Sequence, residues 1–175
     1  MKFMSSIPNQ ITLLRIVLIF PIISFVLMDN NIVAFLIFLV GCFTDFLDGY
    51  VSRAMKQESL LGESLDLLAD KLFVCSILIF LSFHLDNFFF LIMTILIIAR
   101  EISVSSLRQY LLSAQIKKRT KVNLFGKLKT FFQMFSIGAT LILMNTKYDT
   151  VIEILIFLTA CISWASLINY SYEKK

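Results

Sequence analysis

The sequence predicts an all-α integral membrane protein with six transmembrane helices and both termini in the cytoplasm. Of the 175 residues, 58% are hydrophobic, and the mean hydropathy is +0.85. That is more apolar surface than a soluble domain of this length needs. Apolar runs of about 20 residues, the length of one helical span, recur along the chain. The length fits a single domain over residues 1–175.

Six apolar runs are candidate spans, and they lie near 11–28, 32–52, 66–85, 88–108, 122–145 and 151–170. The connections near 29–31, 86–87 and 146–150 are short, and Lys147 is their one basic residue. The rest of the sixteen Lys and Arg residues lie in the other connections, at the termini or in the half-spans beside them. Since basic loops stay cytoplasmic, both termini are expected on the cytoplasmic face of the cell (inner) membrane.

The basic cluster Lys117–Lys121 lies between two of these spans. Such a cluster can indicate a nucleic-acid surface, but beside apolar spans it is typical of a loop that faces anionic lipid headgroups. We therefore expect the lipid bilayer as a partner, and no nucleic acid.

Four aspartates lie in a stretch of 26 residues that runs from the second span into the third: Asp45, Asp48, Asp66 and Asp70. A carboxylate deep in a span costs about 2.5–3.5 kcal/mol if nothing compensates it. Positions three or four apart share a helix face, so Asp45 and Asp48 form one stripe and Asp66 and Asp70 another. Two antiparallel helices would bring the four carboxylates together near the cytoplasmic surface. Helix caps and interfacial charges are the alternative interpretation, with Asp66 capping the third span.

Oxygen ligands of this kind select Mg²⁺ or Mn²⁺. Four carboxylates balance the charge of two divalent ions, which is the stoichiometry of a two-metal phosphoryl-transfer site. His84 is the one histidine in the chain and is predicted on the far side of the membrane, so zinc is not expected. A cation transporter, with the acids coordinating the transported ion, is an alternative from another functional class.

The spacing of the motif resembles the signature of the CDP-alcohol phosphatidyltransferases. It reads Asp45-x2-Asp48-Gly49-x2-Ser52-Arg53-x8-Gly62-x3-Asp66-x3-Asp70, with Ser52 where the family pattern has alanine. The resemblance implies two divalent ions held by the four aspartates, Asp70 as general base, and a homodimer. It also implies a cytidine diphosphate pocket that is lined by Gly49, Ser52, Arg53 and Gly62. The segment 7–15 resembles the family's Pro-Asn-x-x-Thr start and adds Asn9 and Thr12 to that pocket.

A second basic group indicates the acceptor alcohol. It comprises Arg100, Arg108, Lys127 and Lys129, at the ends of the fourth and fifth spans. An acceptor with its own phosphate needs such cations, although they can also be anchors that snorkel to the surface. The segments around them resemble family members that use glycerol 3-phosphate. The implied substrates are CDP-diacylglycerol and glycerol 3-phosphate, and the products phosphatidylglycerophosphate and CMP. Serine, inositol phosphate or phosphatidylglycerol are alternative acceptors.

Overall fold

The computed structural model describes residues 7–55, 60–113 and 124–172, and the regular secondary structure of these residues is entirely α-helical. For part of these residues, including 45–55 on α2 and 60, 61, 63 and 64 on α3, the backbone alone is described. The helices are α1 (Ile7–Leu27), α2 (Asn31–Met55), α3 (Leu60–His84), α4 (Phe88–Ser113), α5 (Leu124–Leu143) and α6 (Asp149–Tyr172).

These helices match the six predicted runs in number and order, and they differ from them at the ends. Helix α3 begins at Leu60, six residues before the predicted start at 66. Asp66 therefore lies in the second turn of α3, and the alternative interpretation of Asp66 as a helix cap is wrong. Helices α2 and α4 continue past the predicted ends, to Met55 and Ser113. Apolar content locates the lipid-length stretch of a helix, whereas the polar turns beyond it carry no such signal.

Two helices contain an apolar stretch long enough to cross a membrane, Phe88–Leu107 in α4 and Asp149–Ile168 in α6. Shorter apolar stretches occur in three other helices, at Thr12–Leu27, Asn31–Thr44 and Leu128–Leu143. These findings apply to the described residues. The all-helical prediction is confirmed for them, while six spans with cytoplasmic termini stay a prediction.

The chain divides into two compact units, Met1–Phe80 and Leu81–Lys175, with the division inside α3. The single-domain organisation stays a prediction. In the first unit α1 packs along α2, and the turn between them is set by two polar residues. Asp29 ends α1 in the left-handed conformation, with φ of 57°. The N–H of Asn30 donates to the carbonyl of Phe25 at 2.9 Å, which closes a Schellman motif.

In the second unit α6 packs against both α4 and α5. Asn87 caps α4, since its side-chain oxygen accepts the backbone N–H of Phe90 at 3.1 Å. The amide nitrogen of the same side chain donates to Glu153 Oε1 on α6 at 2.8 Å. One asparagine thus begins α4 and ties it to α6.

Helices α2 and α3 approach closely where Gly41 faces the ring of Phe73. Phe73 is fully buried and stacks on Phe38 with ring centroids 5.6 Å apart. A Cβ placed on Gly41 would lie 2.9 Å from Phe73 Cε2 and 3.2 Å from Cε1. A side chain at position 41 would therefore meet the Phe73 ring, and the ring or the helix backbone would have to shift.

Gly41→Ala is expected to destabilise the protein. Overpacking a core costs about 1–3 kcal/mol, and alanine's better helix propensity returns at most about 1 kcal/mol. Thermal unfolding in detergent should show a lower Tm for Gly41→Ala. Phe73→Leu, in the same chain, should restore part of the loss because it removes the ring atoms that the methyl group meets. Equal Tm values for Gly41→Ala and wild type would contradict the tight α2–α3 contact.

Candidate active site

Two aspartates of the predicted metal site, Asp66 and Asp70, lie one turn apart on α3 and share a cation. The Arg15 guanidinium, on α1, donates from Nη1 to Asp66 Oδ1 at 3.3 Å and forms an ion pair with Asp70 Oδ1. The two carboxylate side chains keep 39% and 36% of their surface exposed, whereas Arg15 is fully buried. The carboxylates therefore contact Arg15 and remain partly exposed.

Arg15 is buried because it lies on the core face of α1. The buried positions of this helix are Thr12, Arg15, Ile19, Ile22 and Val26. Their spacing of three and four residues forms a single stripe. A guanidinium on such a stripe is stable only with an opposite charge, and the two α3 carboxylates supply it.

Arg15 is a residue of the candidate site to which sequence analysis assigned no role. Its sequence context did carry a signal: it is a lone charge within an apolar run and lies one turn beyond Thr12, on the same helix face. Pairing it with a carboxylate requires knowing which helix packs beside α1, and the partners are 51 and 55 residues away in the chain.

Of the other predicted site residues in the first unit, the structure describes the burial of two, Thr12 and Gly62. Thr12 is buried, and Gly62 is half-buried near the start of α3. The side chains of five residues on α1 and α2 lie outside the described part of the structure: Asn9, Asp45, Asp48, Ser52 and Arg53. Gly49 also lies in the stretch where the backbone alone is described. Their assignments stay predictions.

Within the described residues no group of three or more Asp, Glu, His or Cys side chains is close enough to hold a metal ion. The donor set that is described nevertheless suits a hard cation. Asp66 and Asp70 present carboxylate oxygens to the positively charged Arg15 guanidinium and remain partly exposed. Asp66 and Asp70 therefore fit as part of a divalent-cation site.

A second charged cluster lies in the second unit and is centred on Glu101. Glu101 Oε1 accepts a hydrogen bond from Arg100 Nη1 at 3.3 Å and forms an ion pair with Lys129 Nζ. Arg100 also donates from Nε to the Ser163 carbonyl at 2.9 Å and from Nη2 to Ser166 Oγ at 3.1 Å. The cluster thus joins α4, α5 and α6.

All three charged side chains of this cluster are nearly buried, with exposed fractions of 6% for Arg100 and 11% for Glu101 and Lys129. They carry a net charge of +1. The structure thereby brings together two of the four predicted acceptor-phosphate residues, Arg100 and Lys129. The side chains of the other two, Arg108 and Lys127, lie outside the described residues.

A concave region of the second unit lies elsewhere. It is formed at the turns before α4 and α6 and includes His84, Asp86, Asn87 and Asp149 in its lining. Thirteen residues of helix, about 20 Å, separate Asn87 from Arg100. This region holds no group that the predicted chemistry uses, so we assign it no part in the candidate site.

Comparison with known proteins identifies the family. A sequence model described as CDP-alcohol phosphatidyltransferase matches residues 5–168. The chain belongs to the CDP-alcohol phosphatidyltransferase family.

Relatives from several bacteria carry the name CDP-diacylglycerol–glycerol-3-phosphate 3-phosphatidyltransferase. The relative from Haemophilus influenzae is 35% identical over 178 residues, which cover 100% of this chain and 95% of the relative. The relative from Rickettsia typhi is 35% identical over 183 residues, which cover 98% of this chain and 97% of the relative. The relative from Yersinia pestis strain Pestoides F is 33% identical over 170 residues, 94% and 92% respectively.

Membership in the CDP-alcohol phosphatidyltransferases bears on three expectations. The family resemblance read from the aspartate motif is confirmed, and the chain is a member of a transferase family. The family is generally metal-dependent, in agreement with the carboxylate pair on α3. Together with the two long apolar stretches in α4 and α6, membership indicates a membrane protein.

In this family member, replacing Glu101 is expected to weaken the second unit. Glu101→Gln leaves Arg100 and Lys129 as two buried cations without their shared carboxylate, and breaking a buried pair costs about 3–5 kcal/mol. Thermal unfolding in detergent should show a marked loss of Tm. The double variant Glu101→Gln/Lys129→Gln should recover part of it, because one of the two like charges is then gone.

The matched control for Glu101 is Asp149→Asn, which removes an exposed acid from the first turn of α6. Its cost should stay below about 1 kcal/mol, the usual size of a helix-dipole interaction. If Glu101→Gln proved no more costly than Asp149→Asn, the ion-pair cluster would have no structural role.

Proposed function

We propose that this protein transfers the phosphatidyl group of CDP-diacylglycerol to sn-glycerol 3-phosphate, giving phosphatidylglycerophosphate and CMP. The observation that carries the proposal is the similarity to enzymes named for this reaction, which extends over nearly the full length of both chains. The carboxylate pair of the first unit and the cation pair of the second supply the two kinds of group that the reaction needs.

The four aspartates are proposed to hold two divalent ions, Mg²⁺ or Mn²⁺. Asp66 and Asp70 share a face of α3 with Phe73, whose ring meets Gly41 of α2. On α2, positions 45 and 48 follow Gly41 by four and seven residues, and so share its face by helical periodicity. This register supports a seam in which both aspartate stripes continue from the Gly41–Phe73 contact. When bound, the metal ions would neutralise negative charge at the attacked phosphate.

Asp70 is proposed as the general base. The hydroxyl oxygen of glycerol 3-phosphate forms a bond to the phosphorus of the phosphatidyl group, and the bond from that phosphorus to the CMP oxygen breaks. The hydroxyl proton passes to the Asp70 carboxylate, and CMP leaves with the bonding electrons. The partial exposure of Asp70 supports this role, since a proton acceptor must be reachable by the alcohol. Gly49, Ser52, Arg53, Gly62, Asn9 and Thr12 are proposed to line the CDP pocket.

Arg100 and Lys129 are proposed to bind the phosphate of the acceptor, together with Arg108 and Lys127. A guanidinium has five N–H donors, and the described contacts of Arg100 use three of them. Each Nη therefore keeps an N–H that is not used by these contacts. Because Ser163 and Ser166 fix the orientation of the guanidinium, a phosphate would meet a prearranged pair of donors.

We propose that the protein lies in the cell's inner membrane as a homodimer. Each chain would cross the membrane six times, with both termini and the active site on the cytoplasmic side. The diacyl chains of CDP-diacylglycerol would stay in the bilayer while glycerol 3-phosphate arrives from the cytoplasm. Large apolar side chains on the outer helix faces, among them Phe20 at 70% and Phe83 at 79% exposed, support a lipid environment.

CMP release tests the reaction directly. The purified protein in detergent, given CDP-diacylglycerol and Mg²⁺, should release CMP only when glycerol 3-phosphate is also present, and chelation of the metal should abolish release. Release with serine, inositol phosphate or phosphatidylglycerol in place of glycerol 3-phosphate would change the acceptor and retain the family reaction. Metal flux into vesicles without any CMP release would favour a cation transporter.

Asp70→Asn is expected to lower kcat by about 10²–10⁴-fold, the usual contribution of a general base. Binding of CDP-diacylglycerol should persist in part, because the other aspartates remain. Asp149→Asn is the matched control and should retain wild-type kcat. Near-normal turnover by Asp70→Asn would remove the general-base assignment.

Lys129→Gln is expected to raise the KM for glycerol 3-phosphate about 10–100-fold, because a hydrogen bond to a charged group contributes about 1.5–3 kcal/mol. The KM for CDP-diacylglycerol should change less than about twofold, since its phosphates would bind elsewhere. The control Lys147→Gln removes an exposed cation from the turn before α6 and should alter neither KM. A parallel rise in both KM values for Lys129→Gln would contradict a specific acceptor role.

A further inference from the structure

Arg15 contacts the two α3 aspartates that are proposed to hold a metal ion. It can therefore affect the affinity of the site for that ion. Its Nη1 reaches Oδ1 of both residues, at 3.3 Å for Asp66 and as an ion pair for Asp70. A divalent ion that used both Oδ1 atoms would need the atoms that the guanidinium already contacts. Arg15 and such an ion would therefore compete for the same two oxygens.

The position of Arg15 is set by packing on the buried face of α1. Its side chain is fully buried between Thr12 and Ile19 of the core stripe, so it cannot move freely into solvent as a surface arginine would. On α3, Asp66 and Asp70 lie on the same helix face as the buried Phe73 and Ile77. The contact of Arg15 with Asp66 and Asp70 therefore joins the core faces of α1 and α3. On α3 it lies at partly exposed residues.

Charge decides the direction of the effect. Asp66 and Asp70 carry two negative charges, and Arg15 cancels one of them. A divalent ion that arrives at this pair meets a smaller net attraction, because a cation within hydrogen-bond distance of its ligands repels it. The ordering of the two carboxylates by Arg15 favours binding, but it is the smaller effect, because successive turns of α3 already hold the aspartates on one face.

We propose that Arg15 competes with the divalent cation for the Oδ1 atoms of Asp66 and Asp70, so that it stabilises the metal-free protein and lowers its affinity for metal. This inference rests on the proposed metal site. It differs from a purely structural role, in which the loss of Arg15 would change stability and leave metal affinity as it was.

Two variants separate charge from shape. Arg15→Gln removes the positive charge and keeps a hydrogen-bond donor of similar polarity. Arg15→Lys keeps the charge, but a compact ammonium on a flexible stem contacts the two carboxylates less firmly than a planar guanidinium. Lys147→Gln, an exposed residue of the other unit, is the control for the loss of one positive charge from the protein.

The experiment measures Mn²⁺ binding to the full-length, metal-stripped protein in detergent, from the electron paramagnetic resonance signal of free Mn²⁺. For Arg15→Gln we expect the Kd to fall at least tenfold, which is about 1.4 kcal/mol. For Arg15→Lys we expect a fall of about threefold, and for Lys147→Gln no change. Thermal unfolding of the metal-free proteins should show a lower Tm for Arg15→Gln than for wild type, with a larger rise on addition of Mn²⁺.

An unchanged or higher Kd for Mn²⁺ in Arg15→Gln would overturn the inference. The proposed function would still stand if the wild type binds Mn²⁺ and releases CMP. If Arg15→Gln does not fold, the Arg15→Lys protein carries the test, and a Kd equal to or above the wild-type value contradicts competition. Absence of Mn²⁺ binding in wild type and both variants would overturn the metal site and this inference together.

Discussion

A charge that is buried among apolar helices is stable only when an opposite charge meets it, and both charged clusters of this protein follow from that constraint. In the first unit, the fully buried Arg15 requires Asp66 and Asp70. In the second unit, Glu101 lies between Arg100 and Lys129. Each cluster favours one arrangement of its helices, because an ion pair forms only where the opposite charges meet. Apolar contacts alone would allow several arrangements of the same helices.

The two clusters have opposite net charge, and that difference suits them to different ligands. The described part of the first cluster has two carboxylates and one guanidinium, with the carboxylates partly exposed, which favours a divalent cation. The second has two cations and one carboxylate, with the guanidinium oriented by Ser163 and Ser166, which favours an anion. The proposed transfer of a phosphatidyl group from a CDP-lipid to a phosphorylated alcohol would use one site of each kind.

Much of the fold was predictable from the sequence, because the signals are local. Six apolar runs gave six helices in the right order, and the aspartate spacing gave the family. Helix ends were less predictable, since α3 begins at Leu60, in a polar segment where hydropathy carries no information. In the candidate site, the pairing of Asp66 with Asp70 follows from a four-residue spacing on one helix. Their contact with Arg15 joins residues more than 50 positions apart, which no local pattern contains.

The sequence by itself determined the helical class, the order of the helices and the family, because composition and short-range spacing specify each of these. The tertiary structure decided which charges meet. Arg15 reads in the sequence as an interruption of an apolar run, and Glu101 as a neighbour of a predicted phosphate ligand. Both acquire a role once α1 lies beside α3, and α4 beside α5 and α6, since the partner of a buried charge depends on which helix faces it.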